Sequence, residues 1–389
     1  MLCRKNVVRI PRLRQFHHSM ASSVASPPAA GDWPRPSDRP APQGENARWI
    51  EAGRAERCKR RTESLHCRDV VLRDGFVLHV DPRARFFVVN KPAGMYVEDV
   101  LEFIERYMEE VRRAPERDSE RSKRAKTGSD VATSIREAFN SLAKVGERFQ
   151  LLHRLDRDTT GCLGIACDKE TNRILSRAFQ EGWVKKHYVA HCINTEFADD
   201  FEKKWKDWEV DEPFEDGGGA TTWPRRFCNF RLECHTGHGR SKHGLWRLYA
   251  KEDVGRELPG GSKVKEARTN LYHGFDSSSD GKRLAHLRRL RSFPVVAEPI
   301  TGRTHQIRMH CSQYFPIVGD YKYGYDDEAQ DGVVEDEREK GYRLHSFSLE
   351  LPIPDGNGSS PTQVLAPPPS WWNEEEWGTY DILIQRFFA

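Results

Sequence analysis

The chain has 389 residues, of which 37% are apolar and 31% charged, and its net charge is only +3. This is polar for a globular protein but too rich in core-forming residues for full disorder, so part of the chain folds and part is solvated tail or insert. No apolar run approaches the ~20 residues of a helical membrane span, which excludes that class.

In chain order, the first 31 residues carry five Lys/Arg, several serines and no acid before Asp32. They lack the long apolar stretch of a secretory signal and resemble an organelle transit peptide; the bland alternative is a basic tail, and Met20 is a possible internal start. Residues 22–45, rich in Pro, Ser, Ala and Gly, read as linker. A basic, weakly helical segment spans Trp49 to Arg61. The run VVLRDGFVLHV (70–80) then predicts a hairpin turning at Asp74-Gly75. FFVVNKPAGMYV (86–97) predicts a short apolar strand ended by the Pro92 and Gly94 turn. VLEFIERYMEEV (100–111) is an amphipathic helix with Val100, Phe103, Ile104, Tyr107, Met108 and Val111 on its apolar face. Residues 112–130 have no apolar period and predict a disordered insert.

The stretch from Phe149 to Cys192 is the most structured. LLHRLDRDTTG (151–161) leads into the strand GCLGIAC (161–167), and Asp168 caps a helix with Ile174, Leu175, Ala178 and Phe179 on its buried side. Gly182 ends that helix. In the following strand, KKHYVAHC (185–192), alternation sets Tyr188, Ala190 and Cys192 against His187, Val189 and His191. Residues 202–222 read as loop. Residues 295–324 give a strand, a Thr301-Gly302 turn, a helix from about Thr304 and an exit at Pro316, and HSFSLELPIP (345–354) adds an alternating strand. Many strands and few helices in irregular order predict an α+β fold with a mixed, largely antiparallel sheet.

Charge is uneven. Between Lys282 and Arg308 seven Lys/Arg face Glu298 alone, which suits a polyanion such as RNA or simply a solvated basic face. The acidic stretch 326–339 reads as an exposed loop. Nine scattered cysteines predict reduced thiols in an intracellular compartment.

Asp156 follows an apolar strand, where a carboxylate serves as nucleophile, base or turn former. Arg154, two residues earlier, shares its face on an extended chain, and the pair either lines one cleft or neutralises itself. Arg308, with His305 one turn back, either orients a carboxylate or faces a phosphate. Tyr188 stacks, handles a proton or is ordinary core. A zinc site from Cys228, Cys234, His235 and His238 lacks the usual short paired loops. Asp156 and Asp158 as a glycosidase pair sit too close in one loop for carboxyls that must flank a sugar.

VVNKPAG, HRLDRDTTG, KKHYVA, KEARTN (265–270) and TGRTHQIRMH…PIVGDYKYG occur in the order found in the RluA-type RNA pseudouridine synthases. Together they span about residues 70–355, and residues 239–255 resemble a plant- or alga-like branch. The resemblance implies a pseudouridine synthase fold, an RNA substrate (tRNA or rRNA) and an isomerisation without metal or cofactor. It implies Asp156 as the catalytic carboxylate, Arg154 as the base-flipping arginine, Tyr188 as the active-site tyrosine and Arg308 as the partner of the aspartate. It implies Ile307 as the apolar residue lining the uracil pocket, and His305 and Arg303 of the same motif are expected on the substrate. Thr160 stands where the family usually has serine, with the hydroxyl retained. The expected division is a tail and linker (1–45), a segment with at most a remnant of an S4-like RNA-binding domain (46–80), a catalytic domain (81–360) and a C-terminal extension (361–389). A monomer without membrane attachment is expected, in mitochondrion or chloroplast, or else in cytoplasm or nucleus. The rival reading is a catalytically silent RNA-binding relative, which would need only a basic groove.

Overall fold

Continuous apolar runs such as Phe86–Val89 belong in a sheet covered on both faces, and the chain builds that sheet. The computed structural model describes residues 45–73, 75–113, 148–193, 230–241, 245–259, 261–273, 292–323, 341–354, 361–381 and 383–384. The expected tail, most of the 112–130 insert, residues 202–222, the acidic loop, Cys228 and the basic residues 282–291 lie outside them.

The described strands are β1 (Val77–Val80), β2 (Phe86–Lys91), β3 (Gln150–Leu151), β4 (Thr160–Ala166), β5 (Lys185–Ile193), β6 (Phe230–Arg240), β7 (Trp246–Tyr249), β8 (Lys265–His273), β9 (Ser292–Pro299), β10 (Leu344–Pro354) and β11 (Pro361–Leu365). The helices are α1 (Glu45–Ser64), α2 (Cys67–Val71), α3 (Val97–Arg113), α4 (Lys169–Gln180), α5 (Gln306–Tyr314) and α6 (Glu374–Trp377). The strands form one sheet in the order β1-β2-β4-β10-β5-β9-β8-β6-β7, with β3 paired to β4 and β11 to β10. All pairings are antiparallel except β4 with β10, as the α+β reading expects.

That one parallel contact is also narrow. It joins only Thr160 to His345 and Gly161 to Ser346. Beyond it β4 continues against β3 while β10 turns to β11, so the sheet splays into two halves from this seam. Gly161 permits the close approach, because a Cβ there would overlap the Ser346 backbone, and its φ of +101° disfavours any other residue.

Alternation along the strands separates the cores. Phe87, Val89, Leu163, Ile165, Tyr188, Ala190 and Cys192 join α2, α3 and α5 on one face. Phe86, Val88, Cys162 and Ala166 meet Leu175 and Ala178 of α4 on the other. There Val189 and Phe347 are covered by Trp372, Trp377, Tyr380 and Leu383 from the C-terminal segment. Each such large apolar side chain contributes roughly 1.5–3 kcal/mol by leaving water.

Two local expectations give way to tertiary contacts. Residues 70–80 are not a hairpin: Val70 and Val71 end α2, buried against the α3 core, and β1 pairs with β2 instead. Gly75 still turns the chain, with φ +68°. In α4, Ile174 is 46% exposed and only Thr171, Leu175 and Ala178 are buried, so the contact stripe is narrower than the sequence suggested. Asp168 does cap the helix, accepting from the Thr171 amide at 2.8 Å.

Candidate active site

The loop joining β3 to β4 carries Asp156 out at the seam, and its backbone is pinned from several sides. The carbonyl of Arg157 accepts from the Lys91 ammonium at 2.8 Å and from the Gly94 amide at 3.0 Å. Lys91 also donates to Pro92 O at 2.8 Å, so the NKPAG turn at the end of β2 clamps the residue next to Asp156. Lys91 is fully buried, and burial pulls its ammonium down to about 7, with the charges of Asp158 and Asp156 opposing that fall. The Thr160 hydroxyl bonds His345 Nδ1 at 2.7 Å at the seam itself.

The two carboxylates of the loop have different fates. Asp158 is 3% exposed and is held by Arg157 at 2.9 Å and by Arg54 of α1. Burial alone would raise its carboxyl, but the two guanidinium groups overcome that and hold it at about 2. Asp158 is therefore an internal strut. The Asp156 side chain keeps 28% of its exposure, with Arg308 Nη1 3.6 Å and His305 Nε2 3.8 Å from its Oδ2. Of the pair, only Asp156 has a free side for a ligand.

Arg308 does not give its main fork to Asp156. It binds Asp320 through Nε at 2.7 Å and Nη2 at 2.8 Å, a pairing the sequence reading did not anticipate. Its guanidinium lies over Tyr342 at 4.1 Å and Tyr323 at 5.0 Å. Arg308 and Asp320 are both nearly inaccessible, so Arg308 is no part of an exposed basic face. Two bonds fix the guanidinium, and the remaining nitrogen is turned toward Asp156. Asp320→Asn strands this buried charge and is expected to cost ~3–5 kcal/mol of stability in urea unfolding. A loss below about 1 kcal/mol would show that Asp156 and the tyrosines suffice to hold Arg308.

His305 opens α5 in a left-handed conformation, φ +57°. Its Nδ1 bonds the Tyr323 hydroxyl at 2.7 Å. Burial, aided by Arg308 and Lys322, lowers the imidazole to about 3, so the ring facing Asp156 is neutral at physiological pH. Tyr188 is 7% exposed; burial raises its phenol, and the charge of Asp156 pushes the same way. Ile307 and Leu155 lie in the same apolar cluster as Tyr188. Arg154 stands apart, its side chain 75% exposed and 3.2 Å from Glu98, so it neutralises Glu98 rather than Asp156. Arg303 is drawn away as well, donating from Nε to Glu266 O at 2.8 Å.

The candidate zinc set is dispersed among the described residues. Cys234 is buried, His235 faces Glu266 at 3.0 Å, and His238 Nε2 donates to Thr304 O at 2.9 Å. The functional neighbours missed from sequence are Lys91, Asp320, Tyr323 and Tyr342; the motifs NKPAG and GDYKYG held a signal for the first three, while Tyr342 had none.

The sequence matches known proteins. A family model described as RNA pseudouridylate synthase matches residues 85–313. RNA pseudouridine synthase 1 of Oryza sativa subsp. japonica is 30% identical over 385 residues, covering 90% of this chain and 87% of that protein. RNA pseudouridine synthase 1 of Arabidopsis thaliana is 30% identical over 306 residues, covering 73% of this chain and 72% of that one. RNA pseudouridine synthase 4, mitochondrial, of Arabidopsis thaliana is 26% identical over 307 residues, covering 77% and 52%. The chain therefore belongs to the RluA-type RNA pseudouridine synthases, in a plant-like branch of that family of RNA-modifying enzymes.

Proposed function

We propose that the enzyme turns a uridine of tRNA or rRNA out of its stack and isomerises it with Asp156 as the catalytic carboxylate. The observation that carries this is the asymmetry of the loop: Asp158 is buried and neutralised, while Asp156 is partly open and faced by Arg308 and a neutral His305. Asp156 promotes cleavage of the N1–C1′ bond, the uracil turns, and C5 takes the bond to C1′. C5 then gives up its proton and N1, released from C1′, takes one up, so the reaction is balanced without redox chemistry. Tyr188, kept a neutral phenol by burial, supports the base by stacking, with Ile307 as the apolar wall.

Arg154 enters the gap that the uridine leaves, since chemistry on a stacked base requires its removal from the helix. Its exposure, and the surface position of Glu98, its partner among the described residues, leave it free to do so at low cost. His305, which faces Asp156, completes the substrate contacts, and Arg303 joins it by exchanging its bond to Glu266 O for the RNA. We read the chain as a monomer acting in mitochondrion or chloroplast, a placement supported by its basic, acid-free N-terminus and the mitochondrial name of one relative.

Arg154→Ala is expected to slow turnover of a structured RNA ~10-fold or more while changing that of an unstructured oligonucleotide much less. Equal effects on both substrates would remove the flipping role. Nucleoside analysis of tRNA and rRNA pools after incubation tests the whole reading. Tight RNA binding without new pseudouridine would favour the silent binder.

A further inference from the structure

Among the described residues, one cation beside the loop that carries Asp156 has no anionic partner. Lys186 lies on β5 two residues before Tyr188 and opposite Leu349 of β10, past the irregularity in that pairing, and its side chain packs toward α4. Its stem crosses the Phe179 ring of α4, with Nζ 5.8 Å from the ring centre, and His153 stacks on that ring at 4.8 Å. From above, Nζ lies 3.7 Å from where a Cβ on Gly302 would project. The ammonium is thus held between the loop that carries Asp156 and the turn that leads to His305 and Arg308.

The contrast with its neighbours is informative. Lys185 pairs with Glu350 at 3.2 Å, and Lys91 donates to two carbonyls. Among the described residues Lys186 has neither a carboxylate nor a hydrogen-bond acceptor within reach. Its packing against apolar surface lowers the ammonium to about 8, a strain that an arriving anion would relieve. A lysine placed only for packing gains nothing from a charge kept half desolvated and unpaired.

We propose that Lys186 binds a backbone phosphate of the RNA, at a nucleotide adjoining the uridine held by Asp156; this rests on the cleft reading above. A point-charge ammonium suits a phosphate oxygen and reads no base, so the contact positions the strand without selecting its sequence.

The test uses Lys186→Met, which keeps the stem over Phe179 and removes the charge, beside Lys186→Arg. Affinity for a substrate RNA is measured against KCl concentration with both changes made in the Asp156→Asn protein. Lys186→Met is expected to weaken binding ~10-fold at low salt and to reduce the salt slope by ~0.7–0.9, with Lys186→Arg close to its parent. In the active enzyme Lys186→Met raises KM and leaves kcat within ~3-fold. An unchanged slope and affinity, whether with a lowered melting temperature or a lowered kcat alone, overturns the phosphate role. The binding arm is read where Asp156 is already Asn, so it stands or falls apart from the Asp156 reading, which turnover decides.

Discussion

Asp156→Asn is expected to lower pseudouridine formation by on the order of 10⁴-fold or more, with RNA affinity within a few fold of the parent. The substitution removes a charge from a partly open side chain whose two polar neighbours stand at 3.6 and 3.8 Å, beyond direct hydrogen bonds. Its cost to stability should stay below about 1 kcal/mol. Asp158→Asn, two residues along, should behave in the opposite way. It removes the charge that Arg54 and Arg157 share at a site 3% exposed and costs ~3–5 kcal/mol, so its loss of activity follows loss of fold. Thermal melts run beside turnover separate the two: a destabilised Asp156→Asn protein would mean that Asp156 is a strut as well.

Acid is expected to unfold the protein well above the carboxylate range. His187, His191, His310 and His345 are buried, and burial lowers each to about 3; His273 is lowered to about 4. The unfolded chain binds protons at these groups from about pH 6.5, while the folded chain does so only near pH 3–4. Stability from these groups is therefore whole above pH 6.5 and is lost as pH falls, by up to ~1.4 kcal/mol per pH unit for each. At half that strength the five together remove roughly 7 kcal/mol by pH 4.5, a large part of a domain's total. Urea midpoints followed by tryptophan fluorescence between pH 7 and 4.5 should fall steeply. A flat profile down to pH 4.5 would contradict the neutral, buried state of these rings.

Short-range signals in the sequence were sound where the structure is locally determined. Alternation assigned Tyr188, Ala190 and Cys192 to one face and Val189 to the other, because a strand's geometry forces it. The Asp168 cap followed from its own side chain. Val70-Val71 failed as a strand because helix α2 earns its burial from α3, some 30 residues away in sequence by rough count, which no local pattern encodes. The site divided in the same manner. Motif resemblance pointed to Asp156 and Arg308, yet Arg308's fork goes to Asp320, and spacing cannot say which of two carboxylates a buried arginine meets. Nor could it tell that Asp158 is the strut and Asp156 the open group, since both share one loop and the partners that distinguish them, Arg54 from a distant helix among them, are remote in sequence.

The most direct measurement of the central claim is tritium release from RNA carrying uridine labelled at C5, with the wild-type protein and Asp156→Asn in parallel. Rejoining through C5 expels that hydrogen into water. The account predicts release by the wild type and none above background by the variant, at matched RNA binding. Release by both proteins would contradict the role of Asp156, and release by neither, with RNA bound, would contradict the isomerase reading.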